Sequence, residues 1–214
     1  MKNTNLINRT YKALLFDFDG TLLDSFSVHF DVFKVVFAHF GIEIDKQHFI
    51  DTYSPNWYKS YEAMGLPEKD WKSADKFWIE TAEKRRTSLF PGVPETLTKL
   101  CDSHVIGLVT SGTKSRVVKD LERTGIGPFF KTVVTGDDIL KPKPFPEGLE
   151  MAISHLGLQH EEAAYIGDAY ADYEMAQAAG VDFIGVKSAY GGLDSDGSYC
   201  YVSSIAELPY LFSA

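Results

Sequence analysis

The chain has 214 residues, 44% hydrophobic and 24% charged, with 30 acidic against 21 basic side chains and a net charge of −9. That balance excludes a disordered or fibrous chain and gives enough length for a full core without staples. The acidic surface disfavours nucleic acid and anionic membrane as partners, and two cysteines, Cys101 and Cys200, are too few for a disulfide framework.

The opening stretch MKNTNLINRTYK is polar up to Ala13 and reads as neither signal peptide nor anchor. No segment approaches the roughly 18 apolar residues of a membrane span, so the expectation is a cytoplasmic protein. Residues 12–17 (KALLFD) form a short apolar run ending in an acid, the pattern of a buried parallel strand with an open C-terminal end. Apolar positions then fall at Phe26, Phe30, Phe33, Phe37 and Phe40, spaced four and three apart, which predicts an amphipathic helix closed by Gly41. Helical pattern continues through Trp57, Tyr61, Trp71, Phe77 and Trp78 to Arg86.

From Pro91 the rhythm alternates. Helices are predicted at 94–102, 114–124, 146–156 and 172–179, and strands at 104–110, 132–135, 163–166 and 181–186; Gly125, Gly157 and Gly180 close the last three helices. The pattern predicts an α/β fold: a parallel-sheet, Rossmann-like core of residues 1–24 plus 91–214, with a helical insertion, 25–90, after the first strand. The insertion carries 9 basic and 10 acidic residues, so −8 of the net −9 lies in the core, which points to a cation site there.

Asp17 and Asp19 close the first strand as Asp-Phe-Asp-Gly-Thr, and i, i+2 residues of an extended chain face the same way. Two such carboxylates repel unless a cation or proton intervenes, though an Asp-Gly turn gives a plain structural alternative. Asp168 and Asp172 follow the strand AAYI, with Asp172 also suited to cap the next helix. Acids gathered at one sheet edge supply the hard oxygen ligands that Mg2+ takes. Thr110, Ser111 and Gly112 lie between strand and helix, where hydroxyls and free N–H groups either cap the helix or hold an anion. Lys141 and Lys143 sit in the proline-fixed run KPKPFP, either solvated or aimed at a phosphate.

The ordered set DFDGTLLDS, LVTSG, KPKPFP and YIGDAYAD resembles the four motifs of the haloacid dehalogenase-like hydrolase superfamily. The insertion resembles the C1-type cap of its phosphoglycolate phosphatase-like branch, and PGVPETLTKL the segment that re-enters the core. The resemblance implies a Mg2+-dependent phosphatase acting on a small phosphorylated metabolite. Asp17 would be the nucleophile that forms an aspartyl-phosphate, and Asp19 the acid and then the base. Thr110, Ser111, Gly112 and Lys143 would hold the phosphoryl oxygens, Lys143 being preferred to Lys141 because it directly precedes Pro-x-Pro. Asp17, the backbone carbonyl of Asp19, and Asp168 would hold the metal, with Asp172 positioning its waters or Lys143. An acid at position 19 favours phosphate esters over halide substrates.

In the cap, Ser25 and His29 resemble the pattern of sugar-phosphate mutases and sugar phosphatases, making His29 a candidate substrate contact, although a lone histidine is as readily packed. The run Ser54–Lys59 loosely matches the family's cap specificity loop. A phosphosugar mutase on the same core residues is the enzyme alternative. A non-catalytic binding module is the other, but such a module has no use for a nucleophile beside its acid.

Overall fold

The computed structural model describes residues 10–53, 57–82, 84–188, 193 and 198–212. The polar opening stretch up to residue 9 and Ser54–Asn56 of the cap loop lie outside the described residues. The chain divides into two compact units, Met1–Asp24 with Leu89–Ala214, and Ser25–Ser88. No helix among the described residues is long and apolar enough to cross a membrane.

The first unit is built on β1 (Ala13–Phe16), joined by β2 (Leu23–Asp24) to the second unit, whose helices are α1 (Phe26–His39), α2 (Lys46–Thr52), α3 (Trp57–Ala63) and α4 (Trp71–Ala82). The chain returns through β3 (Ser88–Leu89), which pairs with β2 in a short ribbon. The remainder alternates: α5 (Val93–Cys101), β4 (Val105–Val109), α6 (Lys114–Thr124), β5 (Phe130–Val134), α7 (Glu147–Leu156), β6 (Ala163–Gly167), α8 (Tyr170–Ala179), β7 (Asp182–Val186), β8 (Cys200–Val202) and α9 (Leu208–Leu211). Six strands form one sheet in the order β5-β4-β1-β6-β7-β8, with every pairing parallel.

Alternation along each strand builds two cores. Leu14, Phe16, Ile106, Leu108, Ala164 and Ile166 face α5 and α6. Ala13, Leu15, Val109, Ala163 and Tyr165 face α7 and α8. The central strands are apolar throughout because both faces are covered. Phe16 lies in register with Leu108 on one side and Ile166 on the other, so the residues that follow β1, β4 and β6 emerge together. The order reverses at β1, and open α/β sheets bind ligands at such a switch point.

The helical unit packs on rings. Phe33, at the centre of α1, lies 5.0 Å from Phe49 and 5.9 Å from Tyr61 between centroids, and Phe37 lies 5.8 Å from Tyr61. The five-phenylalanine stripe is broader than its buried centre. Phe26, Phe33 and Phe37 are buried with Val32 and Val36, while Phe30 and Phe40 are half-buried.

Three local expectations change. The three-residue β8 escapes detection, because three residues carry too little alternation to mark a strand. The fifth strand starts at Phe130, two residues early, on a half-exposed edge where polarity gives no signal. Helix α8 starts at Tyr170, which moves Asp172 from the cap position into the first turn.

Candidate active site

Asp17 continues the β1 ladder by donating its N–H to the Ile166 carbonyl at 2.8 Å, and its side chain is buried. Asp168 and Asp172 extend from the end of β6 and the first turn of α8, and they too are buried. One oxygen from each of the three carboxylates lies within 4.8 Å of the others. The chain leaves this point sharply. Gly20 has φ of +85°, a left-handed value, and a side chain there would overlap the Asp168 carboxylate. The Gly-Thr step then lets Thr21 Oγ1 donate to Asp168 Oδ1 at 3.0 Å.

Asp19 is not part of the three-carboxylate group. The loop through Gly20 takes it out of the extended alternation expected with Asp17, and its carboxylate instead meets the guanidinium of Arg116. The resemblance assigned its metal contact to the backbone carbonyl, to which this side-chain pairing is no bar.

The two lysines of the proline loop separate clearly. Lys143 Nζ donates to Asp17 Oδ1, and to Asp172 Oδ1 at 2.7 Å, with its side chain buried. The Tyr165 ring lies below the ammonium, 5.4 Å to its centroid. Lys141 is exposed and lies 5.7 Å above the Phe145 ring. Glu147 anchors the loop, accepting from the N–H groups of Leu140 at 2.9 Å and Lys141 at 2.8 Å.

Asp172 has little free capacity. Its Oδ1 accepts from Lys143 and lies 3.3 Å from the Tyr165 hydroxyl, which also donates to the Val109 carbonyl at 3.0 Å; its Oδ2 accepts from the N–H groups of Asp168 at 3.2 Å and Ala169 at 3.1 Å. It therefore ties the start of α8 to Lys143.

At the end of β4, Thr110 is buried and its Oγ1 accepts from the Gly112 N–H at 3.1 Å. The hydroxyl oxygen of Ser111 is buried with no hydrogen-bond partner. Neither hydroxyl is spent on capping α6: Thr113 is its N-cap without a side-chain cap bond, and Asp137 accepts from the Lys114 N–H at 2.8 Å. An unpaired buried hydroxyl is costly, and it suits an incoming anion oxygen. His29 lies in the helical unit, buried, its ring 5.8 Å from that of Trp78 in an edge contact.

Burial raises the Asp17 carboxyl well above its usual range, the Lys143 charge opposes the rise, and Asp172 and Asp168 add to it. Burial, then the Asp172 charge, pushes Asp168 up to about 7. Burial works against the Lys143 ammonium, but Asp17 and Asp172 more than offset it, so the lysine is held charged. Fully ionised, three carboxylates against one ammonium carry two negative charges in excess, the amount a divalent cation neutralises in place of protons. Oxygen donors of this kind fit Mg2+, with Asp17 and Asp168 the freest to turn toward it.

Arg116, Tyr165 and Glu147 join the site only in the structure. Only Arg116 leaves a signal, as a cation in the first turn of a helix, where the macrodipole disfavours it.

The family model described as "Haloacid dehalogenase-like hydrolase" matches residues 14–186. The chain is 29% identical over 197 residues to the pyrophosphatase PpaX of Bacillus velezensis, covering 91% of each. It is 29% identical over 194 residues to a phosphoglycolate phosphatase of Yersinia pseudotuberculosis, covering 85% of this chain and 83% of the relative. A crystal structure titled as a putative haloacid dehalogenase-like hydrolase from Bacteroides fragilis superposes with a TM-score of 0.83 at 30% identity, covering 93% of this chain and all of that one.

Proposed function

Since the chain belongs to the haloacid dehalogenase-like hydrolase family and is an enzyme of its phosphatase kind, we propose that it is a Mg2+-dependent phosphomonoesterase acting on a small alkyl phosphate through an aspartyl-phosphate. The observation that carries this reading is the buried set of Asp17, Lys143, Asp172 and Asp168 at adjoining strand ends, beside the unpaired Ser111 hydroxyl.

A carboxylate oxygen of Asp17 attacks phosphorus in line. The bond from phosphorus to the ester oxygen breaks, its electron pair stays on that oxygen, and Asp19 supplies the proton. Asp19, now a carboxylate, takes a proton from the water that attacks the phosphoaspartate. Inorganic phosphate leaves and Asp17 is restored. Lys143, Thr110 and Ser111, with the backbone of Gly112, hold the phosphoryl oxygens, and Asp172 with Tyr165 fixes the lysine. Asp17 and Asp168 would hold Mg2+, which would supply neutralisation of the charge that gathers on the transferring group. The reading keeps the sequence division of roles, a catalytic core of 1–24 and 91–214 and a substrate-selecting cap of 25–90.

The relatives act by name on phosphoglycolate or pyrophosphate. Asp19 favours the ester: an alkoxide is a poor leaving group and gains from a proton, whereas phosphate leaving an anhydride needs little help. The test is release of inorganic phosphate from phosphoglycolate, pyrophosphate and hexose phosphates, with Mg2+ and with chelator. Stoichiometric, chelator-sensitive release fastest from an alkyl ester is expected. Isomerisation of a hexose phosphate with little free phosphate, dependent on a sugar bisphosphate, would replace the reading with the mutase one.

A further inference from the structure

We propose that Arg116 is a positioning residue for proton transfer, holding the Asp19 carboxylate in the orientation from which it serves the leaving oxygen; this rests on the phosphatase reading. Arg116 Nη1 donates to Asp19 Oδ1 at 3.0 Å, and Nη2 donates to Oδ2. A fork on both oxygens fixes the plane of a carboxylate as well as its place, which a single contact does not. The two residues are 97 apart in the chain, and the neighbouring strands β1 and β4 bring their loops together.

The guanidinium is itself braced. Nη1 also reaches Asp120 Oδ2 at 3.5 Å, and Asp120 Oδ1 takes Arg123 Nη2 at 2.7 Å. Gly112 gives the fork room, because a side chain there would overlap Nη2. Sequence reading assigned Gly112 to anion binding; the structure adds this second reason for it.

Stability does not explain the arrangement. The pair is 25% and 19% exposed, and an ion pair that solvent reaches adds little to stability. Arg116 also sits in the first turn of α6, where the helix dipole repels it. A local rule broken without a stability gain is expected at functional positions.

The chemistry gives the pair a use. Asp19 delivers its proton to the ester oxygen as the phosphorus–oxygen bond breaks, and later recovers one from water, while Arg116 stays charged throughout. In its acid form Asp19 carries the proton on one oxygen and keeps the Arg116 contact on the other. The remaining contact keeps the carboxyl from rotating away. Misplacement of a reacting group by about 1 Å is enough to cost roughly 100-fold in rate.

The test compares kcat/KM for an alkyl substrate, glycerol phosphate, with that for 4-nitrophenyl phosphate, whose leaving group needs no proton. The ratio reads the acid step and is insensitive to a general loss of fold or of phosphate binding. Arg116→Ala is expected to lose roughly 30- to 100-fold on the alkyl ester and less than about threefold on the aryl ester. Added guanidinium ion is expected to restore part of the alkyl rate. Arg116→Lys keeps the charge without the fork; it is expected to retain KM and to keep the low alkyl-to-aryl ratio, and it carries the test if the alanine variant does not fold. Equal losses on both esters, or an unchanged alkyl rate, would overturn the proposal. Failure of the unmodified enzyme to release phosphate from either ester is a different result: it removes the phosphatase reading, and this inference with it.

Discussion

The C-terminal edge of the sheet and the interior of the helical unit are both buried, yet they are filled by opposite rules. The helical unit buries rings, with Phe33 against Phe37, Phe49 and Tyr61, and Phe37 against Tyr61. The sheet edge buries charge: the side chains of Lys143, Asp17 and Asp172 are 6%, 9% and 2% exposed. Burying a charge costs several kcal/mol even when it is paired, whereas burying a phenylalanine gains about 1.5–3 kcal/mol. One region is arranged for stability, and the other holds an arrangement that stability opposes. The opposed arrangement is where chemistry is expected.

The strongest way to break that comparison is Asp17→Asn, which keeps the shape and removes one of the crowded negative charges. Phosphate release is expected to fall to background and no labelled phosphoenzyme to form, while the melting temperature holds or rises. A labelled intermediate in this variant would refute the nucleophile assignment. A large fall in melting temperature would refute the claim that the charge set opposes stability. The converse change is Phe33→Ala in the helical unit, where loss of a buried ring costs about 3–5 kcal/mol. Amide exchange should accelerate in α1 and α4 while β1, β4 and β6 keep their protection. Uniform acceleration would show that the two units unfold as one.

How much of this was legible in the sequence follows the same division. The fold was legible because the central strands are short apolar runs and the helices between them end at glycines. Asp17 and Asp168 were legible because each stands as a polar residue where an apolar strand pattern stops, and Lys143 because it directly precedes Pro-x-Pro in a proline-fixed run. Arg116 and Tyr165 were not, since their partners are set by strand register: Tyr165 faces Asp172 because β6 alternates, and Arg116 meets Asp19 because β4 lies beside β1. The place of Asp172 was off because a helix that starts two residues early has no marker when Ala169 is its N-cap. Strand β8 was too short for its alternation to register.

Charge crowding also gives the comparison a pH dependence. Asp168 is pushed up to about 7, mainly by burial and then by Asp172. An acid whose folded value lies above its unfolded one binds more protons in the folded state between the two. The metal-free protein therefore loses stability as pH rises from about 4 to 7. A cation that takes the place of the proton reverses this. Mg2+ should raise the melting temperature more at pH 8 than at pH 5.5, with apparent affinity falling by about tenfold per unit below 7 for one displaced proton. Equal stabilisation at both values would mean that Asp168 is not a ligand.

The smallest expected effect tests the comparison within a single loop. Lys141 and Lys143 are two residues apart in the same proline-fixed segment, and sequence offered both for the same task. Lys143 is enclosed by Asp17 and Asp172 over the Tyr165 ring, while Lys141 lies exposed on Phe145. Glu147 fixes the loop through the backbone of Leu140 and Lys141, so the Lys141 side chain is not needed to hold its shape. An exposed lysine stacked on a ring contributes about 0.5–1 kcal/mol at most. Lys141→Ala should therefore leave kcat within about threefold and the melting temperature nearly unchanged, by the usual size of exposed substitutions. A loss of tenfold or more in kcat for Lys141→Ala, matched by a mild effect of Lys143→Ala, would mean that the loop exchanges its two lysines during turnover, and that burial does not identify the working cation.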